Sequence, residues 1–352
     1  MNLNNVIFFL ILILFTNYFY KYFVLFLKKI NKNLLVDFQF NKPQAFHETP
    51  ISTIGGSGIF LAFLLICAFL FIFYEIVYLE YLSFCAFFFI LGLVDDFKIN
   101  IRPKFRLLIM LTILIVLVTS NKFYLEKTGL EFLNNFLEID IFALFFICLC
   151  FLFVVNGSNL IDGFNGLLGI HSLIILLNLF FVNYYNNNLD LAYLMLCSIL
   201  ILLVFLRYNF PKAKIFLGDG GSYFLGAFIA ISVIKTSIAN PSISPFYFCI
   251  LLFYVFFEVF FSFLRKLIVE RKSPLFPDKK HLHMLLYKIL YKKNKDKLKS
   301  NYYVSIFINL IYLILIIPAI FLMENGLFCK YYSMLFFIIY LSSYKIIKKK
   351  SL

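Results

Sequence analysis

The chain has 352 residues, of which 63% are hydrophobic and only 14% charged, with a formal net charge of +14 and a mean hydropathy of +0.93. Soluble globular domains carry roughly a quarter charged residues, so this composition excludes the soluble classes and describes an integral membrane protein. The seven cysteines form no CxxC and stand in or beside apolar runs, which reads as buried packing and not as a disulfide framework.

In chain order, apolar segments long enough to span a bilayer recur near 5–27, 57–74, 77–94, 107–121, 141–155, 167–183, 190–206, 222–236, 246–264, 303–322 and 331–347. The first has no basic lead-in and no small-residue cleavage site, so it is read as a retained span and not a signal peptide. The run 57–94 is split at "YEIVYLEY", where Glu75 and Glu80 interrupt it. The expected fold is an all-α polytopic membrane protein of about eleven transmembrane helices, a single domain over 1–352. Eleven spans place Lys28, Lys29, Lys32, Lys42, Lys98, Arg102, Lys104, Arg106, Arg207, Lys212, Lys214, the basic loop 265–302 and the lysine-rich tail on one side. Only Lys122, Lys127, Lys235 and Lys330 fall on the other. The positive-inside rule makes the first side cytoplasmic, with the N-terminus outside and the C-terminus inside.

The polar segments fall on that cytoplasmic side. "LGLVDDF" ends a greasy run with Asp95 and Asp96 adjacent, where two like charges call for something positive between them. "NGSNLIDGFNG" (156–166) supplies Asp162, and "NFPKAKIFLGDGGS" (209–222) supplies Asp219. Singly, each is an ordinary solvated helix end; together, set among Gly and Asn with no second cluster outside, they predict one shared site. Several aspartates without a His/Cys ligand set suit a hard cation, Mg²⁺ or Mn²⁺. On a helix Asn159, Asp162 and Asn165 line one face. Gly157, Gly163, Gly166 and Gly169 would let a backbone or a phosphate approach, although a helix-packing face explains these glycines equally. "FLGDGGS" has the form of a glycine loop that cradles phosphate at a helix N-terminus.

In the loop 265–302, Pro277–Asp278 reads as a helix start. Leu282, Leu285, Leu286, Ile289 and Leu290 follow as an amphipathic surface helix. His281 and His283, at i and i+2, do not share a helical face, so a phosphate contact fits them better than zinc. Glu258 lies inside a span and needs a partner or a neutral state; Arg265 follows it two turns later.

Taken in order, "HETPISTIGG" (47–56), "LGLVDDF", "NGSNLIDGFNG", "NFPKAKIFLGDGGS" and "SPLFPDKKHLH" (273–283) resemble the polyprenyl-phosphate N-acetylhexosamine-1-phosphate transferases. That superfamily includes the translocase that makes the first lipid intermediate of peptidoglycan. The resemblance implies that a lipid phosphate attacks the β-phosphate of a UDP-amino sugar, releasing UMP, at a cytoplasmic-face active site. It implies catalytic roles for Asp95, Asp96 and Asp219, with Asp219 as the prime Mg²⁺ ligand, Asp95 beside it, and Asp96 holding or deprotonating the lipid phosphate. Asn159, Asp162 and Asn209 would position the nucleotide and Phe216 would stack on uracil. His281, His283 and Arg265 would contact the diphosphate or sugar, and Lys104 and Arg106 are assigned to the lipid phosphate.

Two positions depart from the family pattern. An expected acid is Asn165, and Met284 stands where a further histidine is usual. The Ser-Pro…Pro-Asp lead-in resembles the branch that initiates O-antigen or teichoic-acid-like glycans, with a UDP-GlcNAc-type donor; the peptidoglycan enzyme is the alternative. An ion-coupled transporter fits less well, because the acids gather at one membrane face and no inverted repeat is visible. The expected partners are undecaprenyl phosphate, a UDP-sugar, the bilayer of the inner (cytoplasmic) membrane and possible homodimerisation, with no nucleic acid.

Overall fold

The computed structural model describes residues 3–30, 35–37, 50–99, 101–125, 127–274 and 278–351. They form α1 (Leu3–Ile30), the short antiparallel pair β1 (Val36–Asp37) and β2 (Ile51–Ser52), then α2 (Gly55–Tyr74), α3 (Leu79–Asp96), α4 (Pro103–Asn121), α5 (Glu131–Leu137), α6 (Asp140–Ile161) and α7 (Leu167–Tyr185). There follow α8 (Leu189–Asn209), α9 (Gly218–Ala239), α10 (Pro245–Leu251), α11 (Phe253–Leu264), α12 (Leu282–Asn294), α13 (Lys297–Phe321) and α14 (Gly326–Ser351). Of "HETPISTIGG", His47, Glu48 and Thr49 lie outside the described residues.

Among the described residues, nine helices are long and apolar enough to cross a membrane: α1, α2, α4, α6, α7, α8, α9, α13 and α14. Large apolar side chains stay exposed along them, among them Leu10, Leu108, Ile141, Phe145, Ile314 and Ile338. A lipid solvent tolerates that arrangement; water does not. The chain is therefore an all-α polytopic membrane protein. α3 carries three carboxylates, Glu80, Asp95 and Asp96, in its 18 residues. The expected continuous span 246–264 is instead two helices, α10 and α11, bent by 75° at Leu252. The break between α2 and α3 falls inside "YEIVYLEY": Glu75 turns left-handed (φ 57°), and its N–H closes the last turn of α2 on the Phe71 carbonyl.

α9 is the central helix. Every residue from Gly220 to Ile234 is buried, as expected of a helix without charge around its circumference, and α2, α3, α6 and α7 surround it. Gly92 lets α3 come within backbone contact of α9, since a Cβ there would sit 2.4 Å from the Asp219 carbonyl oxygen. Of the cysteines, Cys249 is exposed and Cys150 intermediate, so the expectation of seven buried packing residues holds for the other five only.

Candidate active site

The site is assembled around the first turn of α9. The chain enters it through Gly218, whose φ of +78° lies in the left-handed region; a Cβ there would meet an Asp96 carboxylate oxygen at 2.7 Å. Helix N-termini leave backbone N–H groups unpaired and favour an anion. Asp96 supplies that anion. Its Oδ1 accepts the Asp219 N–H and its Oδ2 the Gly220 N–H, both at 2.9 Å. This corrects the expectation of a phosphate cradle in "FLGDGGS": the protein's own carboxylate occupies these two donors.

The same first turn is tied down from the other side. β2 and the start of α2 hold the segment before α9, with the Phe216 N–H donating to Ser52 O (2.7 Å). The N–H groups of Gly55 and Gly56 donate to the carbonyls of Phe216 (2.9 Å) and Leu217 (2.7 Å). Phe216 itself is half-buried.

Asn159, on the last turn of α6, donates its Nδ2 to Asp219 Oδ1 at 2.6 Å and to Ser222 Oγ at 2.9 Å. It orients the carboxylate that the sequence marks out. Asp162 caps the same helix. It is partly exposed, yet packed deeply enough that desolvation, with added repulsion from Asp219 and Asp96, pushes its carboxyl well above the usual range. Asp95 is met from the first turn of α4, where Arg106 Nη1 donates to its Oδ2 at 2.6 Å. Lys104 is exposed on the same turn.

The donor set near Asp219 is oxygen only. Among the described residues no three His, Cys, Asp or Glu side chains are arranged to hold a metal by themselves. Mg²⁺ is commonly held by one or two carboxylates, with water and substrate phosphates completing the octahedron. The mutually repelling carboxylates of Asp162 and Asp219 fit such an ion, whereas both oxygens of Asp96 are taken by the cap on α9.

Other motif residues serve the scaffold. Asn209 is buried with both ends of its amide used: Nδ2 donates to Ile215 O (2.9 Å) and Oδ1 accepts the Gly166 N–H (2.7 Å). Gly157 serves helix packing, because a Cβ there would lie 2.0 Å from the Val255 carbonyl oxygen. Gly163 has nothing within 4 Å of such a Cβ. Asn165 donates Nδ2 to Pro211 O at 2.8 Å, and its N–H goes to Asn301 Oδ1, also at 2.8 Å. A carboxylate could not make the first of these bonds, which gives the departure from the acidic family pattern a physical reason.

The histidine loop differs most from expectation. α12 begins at Leu282 with His281 as its N-cap, not at Pro277–Asp278, and Pro277 lies outside the described residues. Its buried face is His283, Met284, Leu285 and Tyr287, packed on α13 and α14, so the helix docks on protein. Arg265 does not pair with Glu258. It holds Glu270 (2.7 Å) and Asp278 (2.8 Å), and the Asp278 carboxyl lies below its usual range because its hydrogen bonds from Lys280 N–H and Arg265 outweigh desolvation. Glu258 is met by His281 Nδ1 (3.1 Å), Leu282 N–H (3.0 Å) and Tyr340 OH (2.6 Å). The rings of His281 and His283 stack in parallel, 5.5 Å apart. His283 Nδ1 lies 3.1 Å from Tyr254 OH, and its ring meets that of Phe164, between Asp162 and Asn165, edge to face. Tyr254, Tyr340 and Asn301 carry no motif signal. Each is remote in sequence from its partner and ordinary in a chain so rich in Tyr and Asn.

Residues 78–237 match the model of glycosyl transferase family 4. The chain is 33% identical over 152 residues to an undecaprenyl-phosphate alpha-N-acetylglucosaminyl 1-phosphate transferase of Thermotoga maritima, covering 42% of this chain and 45% of that protein. It is 32% identical over 203 residues to a probable undecaprenyl-phosphate N-acetylglucosaminyl 1-phosphate transferase of Bacillus subtilis, covering 55% and 54%. A phospho-N-acetylmuramoyl-pentapeptide-transferase of Dictyoglomus turgidum is 34% identical over 196 residues, covering 53% and 62%. The chain thus aligns with about half the length of these relatives.

Proposed function

From the match of residues 78–237 to the model of glycosyl transferase family 4, we propose that this chain transfers an N-acetylhexosamine-1-phosphate, GlcNAc in type, from a UDP-sugar to undecaprenyl phosphate. This is the first membrane step of a cell-surface polysaccharide. An oxygen of the lipid phosphate attacks the β-phosphorus of the donor. The bond from that phosphorus to the oxygen bridging the α-phosphate breaks, and UMP leaves with the electron pair. The observation that carries this reading is the convergence of Asp96, Asp162 and Asp219 from three segments at one helix-end cluster, with Asn159 aligning Asp219.

With eleven crossings, counting α3 and the bent α10–α11 pair as one each, this cluster would lie on the cytoplasmic face of the inner membrane, with the N-terminus outside and the C-terminus inside. Asp219 and Asp162 would hold Mg²⁺, which neutralises the diphosphate charge when bound. Asp96 keeps the first turn of α9 in place, and a phosphate monoester with a second pKa of about 6 needs no strong base at neutral pH. Arg106, paired with Asp95 at the rim, and exposed Lys104 would meet the lipid phosphate. Phe216, half-buried beside Asp219, would stack on uracil.

The similarity to a phospho-N-acetylmuramoyl-pentapeptide-transferase favours a second reading, in which the donor is UDP-MurNAc-pentapeptide. One assay decides both. Purified protein with undecaprenyl phosphate, Mg²⁺ and each candidate UDP-sugar is followed for UMP release, with and without EDTA, beside Asp219→Asn. Release from a UDP-N-acetylhexosamine, abolished by EDTA and by the substitution, supports the reading. Release only from UDP-MurNAc-pentapeptide selects the alternative, and silence from folded protein with every donor rejects both.

A further inference from the structure

We infer that Glu258, an acid embedded in α11, is a positioning residue that clamps His281 and, through the ring stacked on it, sets the orientation of His283. This inference rests on the transferase reading. Glu258 is 1% exposed and His281 2%, and the carboxylate is the meeting point of three elements. Its Oε1 faces His281 Nδ1 (3.1 Å) and accepts the Leu282 N–H (3.0 Å), which fixes the first residues of α12. Its Oε2 accepts the Tyr340 OH (2.6 Å) from the last helix. An ionised carboxylate only accepts hydrogen bonds, so this contact keeps a proton on His281 Nδ1 and sets the orientation of the ring. The other nitrogen of His281 stands 3.4 Å from Asp278 Oδ1, and Asp278 is itself held by Arg265. Both nitrogens of His281 therefore face protein carboxylates.

His283 differs. It stacks on the ring that Glu258 orients, and only its Nδ1 has a neighbour, the Tyr254 hydroxyl. Its Nε2 is fully buried with no hydrogen-bond partner among the described residues. Buried polar nitrogens are rarely left so. The ring lies against Phe164, one residue from the Gly163 at which a side chain would meet open space and two from Asp162. Tyr254 lies one turn before Glu258 on α11, so a single helix sets both histidines.

The test uses the full-length protein in detergent, ¹⁵N-labelled at its four histidines, with Glu258→Gln, Tyr340→Phe and His283→Gln as variants. Histidine ¹⁵N shifts report which ring nitrogen carries the proton, without turnover. The expected result is a changed His281 signature in Glu258→Gln, a smaller change in Tyr340→Phe, and none in His283→Gln. In the UMP-release assay Glu258→Gln lowers kcat by about tenfold, the scale at which outer partners orient an imidazole, and Tyr340→Phe by less. His283→Gln, which removes the ring stacked on His281, lowers kcat as well. Unchanged His281 shifts with wild-type kinetics in folded Glu258→Gln overturn the clamp, as does a lower melting temperature with unaltered kinetics and shifts. If Glu258→Gln does not fold, an unchanged His281 signature in Tyr340→Phe overturns it instead. Wild-type protein inert toward every donor rejects the transferase reading, while the shifts still judge the clamp.

Discussion

The Asp96 carboxylate accepts the Asp219 N–H at 2.9 Å, so the acid that ends α3 caps the first turn of α9. The Gly220 N–H completes the cap on the second oxygen. Charge-assisted bonds of this kind are worth about 1.5–3 kcal/mol each, and the N-terminal dipole adds to them. In Asp96→Asn one acceptor becomes an NH₂ facing an N–H. The expected outcome is a lower thermal midpoint together with a loss of UMP release of at least about a hundredfold, the equivalent of roughly 2.7 kcal/mol. An Asp96→Asn protein that melts like wild type would show that the carboxylate does not cap α9.

Two glycines in the motifs separate packing from ligand access. Gly92→Ala places a Cβ 2.4 Å from the Asp219 carbonyl oxygen. Backbone has to move, at a cost of about 1–3 kcal/mol for overpacking, and Asp219 moves with it. Stability and kcat fall together. Gly163→Ala meets nothing within 4 Å, so its midpoint stays at the wild-type value. A rise in donor KM with unchanged stability then marks Gly163 as lying beside bound nucleotide, and an unchanged KM removes it from the site.

Burial pushes the His283 imidazole down to about 3, with the neighbouring His281 lowering it further and Glu258 opposing. The unfolded chain takes up that proton near pH 6.5, the folded chain only near 3. The unfolded state therefore binds more protons across this window, and stability, full above pH 6.5, is lost as pH falls toward 3. Midpoints measured from pH 7.5 down to 5 should fall more steeply for wild type than for His283→Gln. Parallel curves would mean that His283 is not held neutral in the folded protein.

The membrane-spanning helices were legible because length and hydropathy suffice to find them, and the split at Glu75 because charge interrupts the run. The bend at Leu252 was not, since 246–264 contains no Gly or Pro and tertiary packing sets the turn. The acids were legible because a carboxylate in an apolar context stands out. What Asp96 does was not, because its donors lie 123 and 124 residues away. The same holds for Glu258: its neighbour in periodicity, Arg265, is not its partner, and the groups that meet it come from α12 and α14.

Asn165 illustrates the limit most directly, and it makes the last prediction. In sequence it reads as a missing acid; in the structure its Nδ2 donates to the Pro211 carbonyl 46 positions away, and its backbone N–H to Asn301. Asn165→Asp restores the family's residue but sets a buried carboxylate against a carbonyl oxygen. The lost bond leaves the Pro211 acceptor unsatisfied at a cost of about 1–3 kcal/mol, and the added charge is unpaired. The variant should melt several degrees lower and turn over more slowly, despite matching the acidic pattern. Combined with Asn301→Ala, the losses should be less than additive, since both side chains hold the same turn. A variant that is as stable as wild type and faster would mean that the amide had weakened a nucleotide contact and was never needed as a donor.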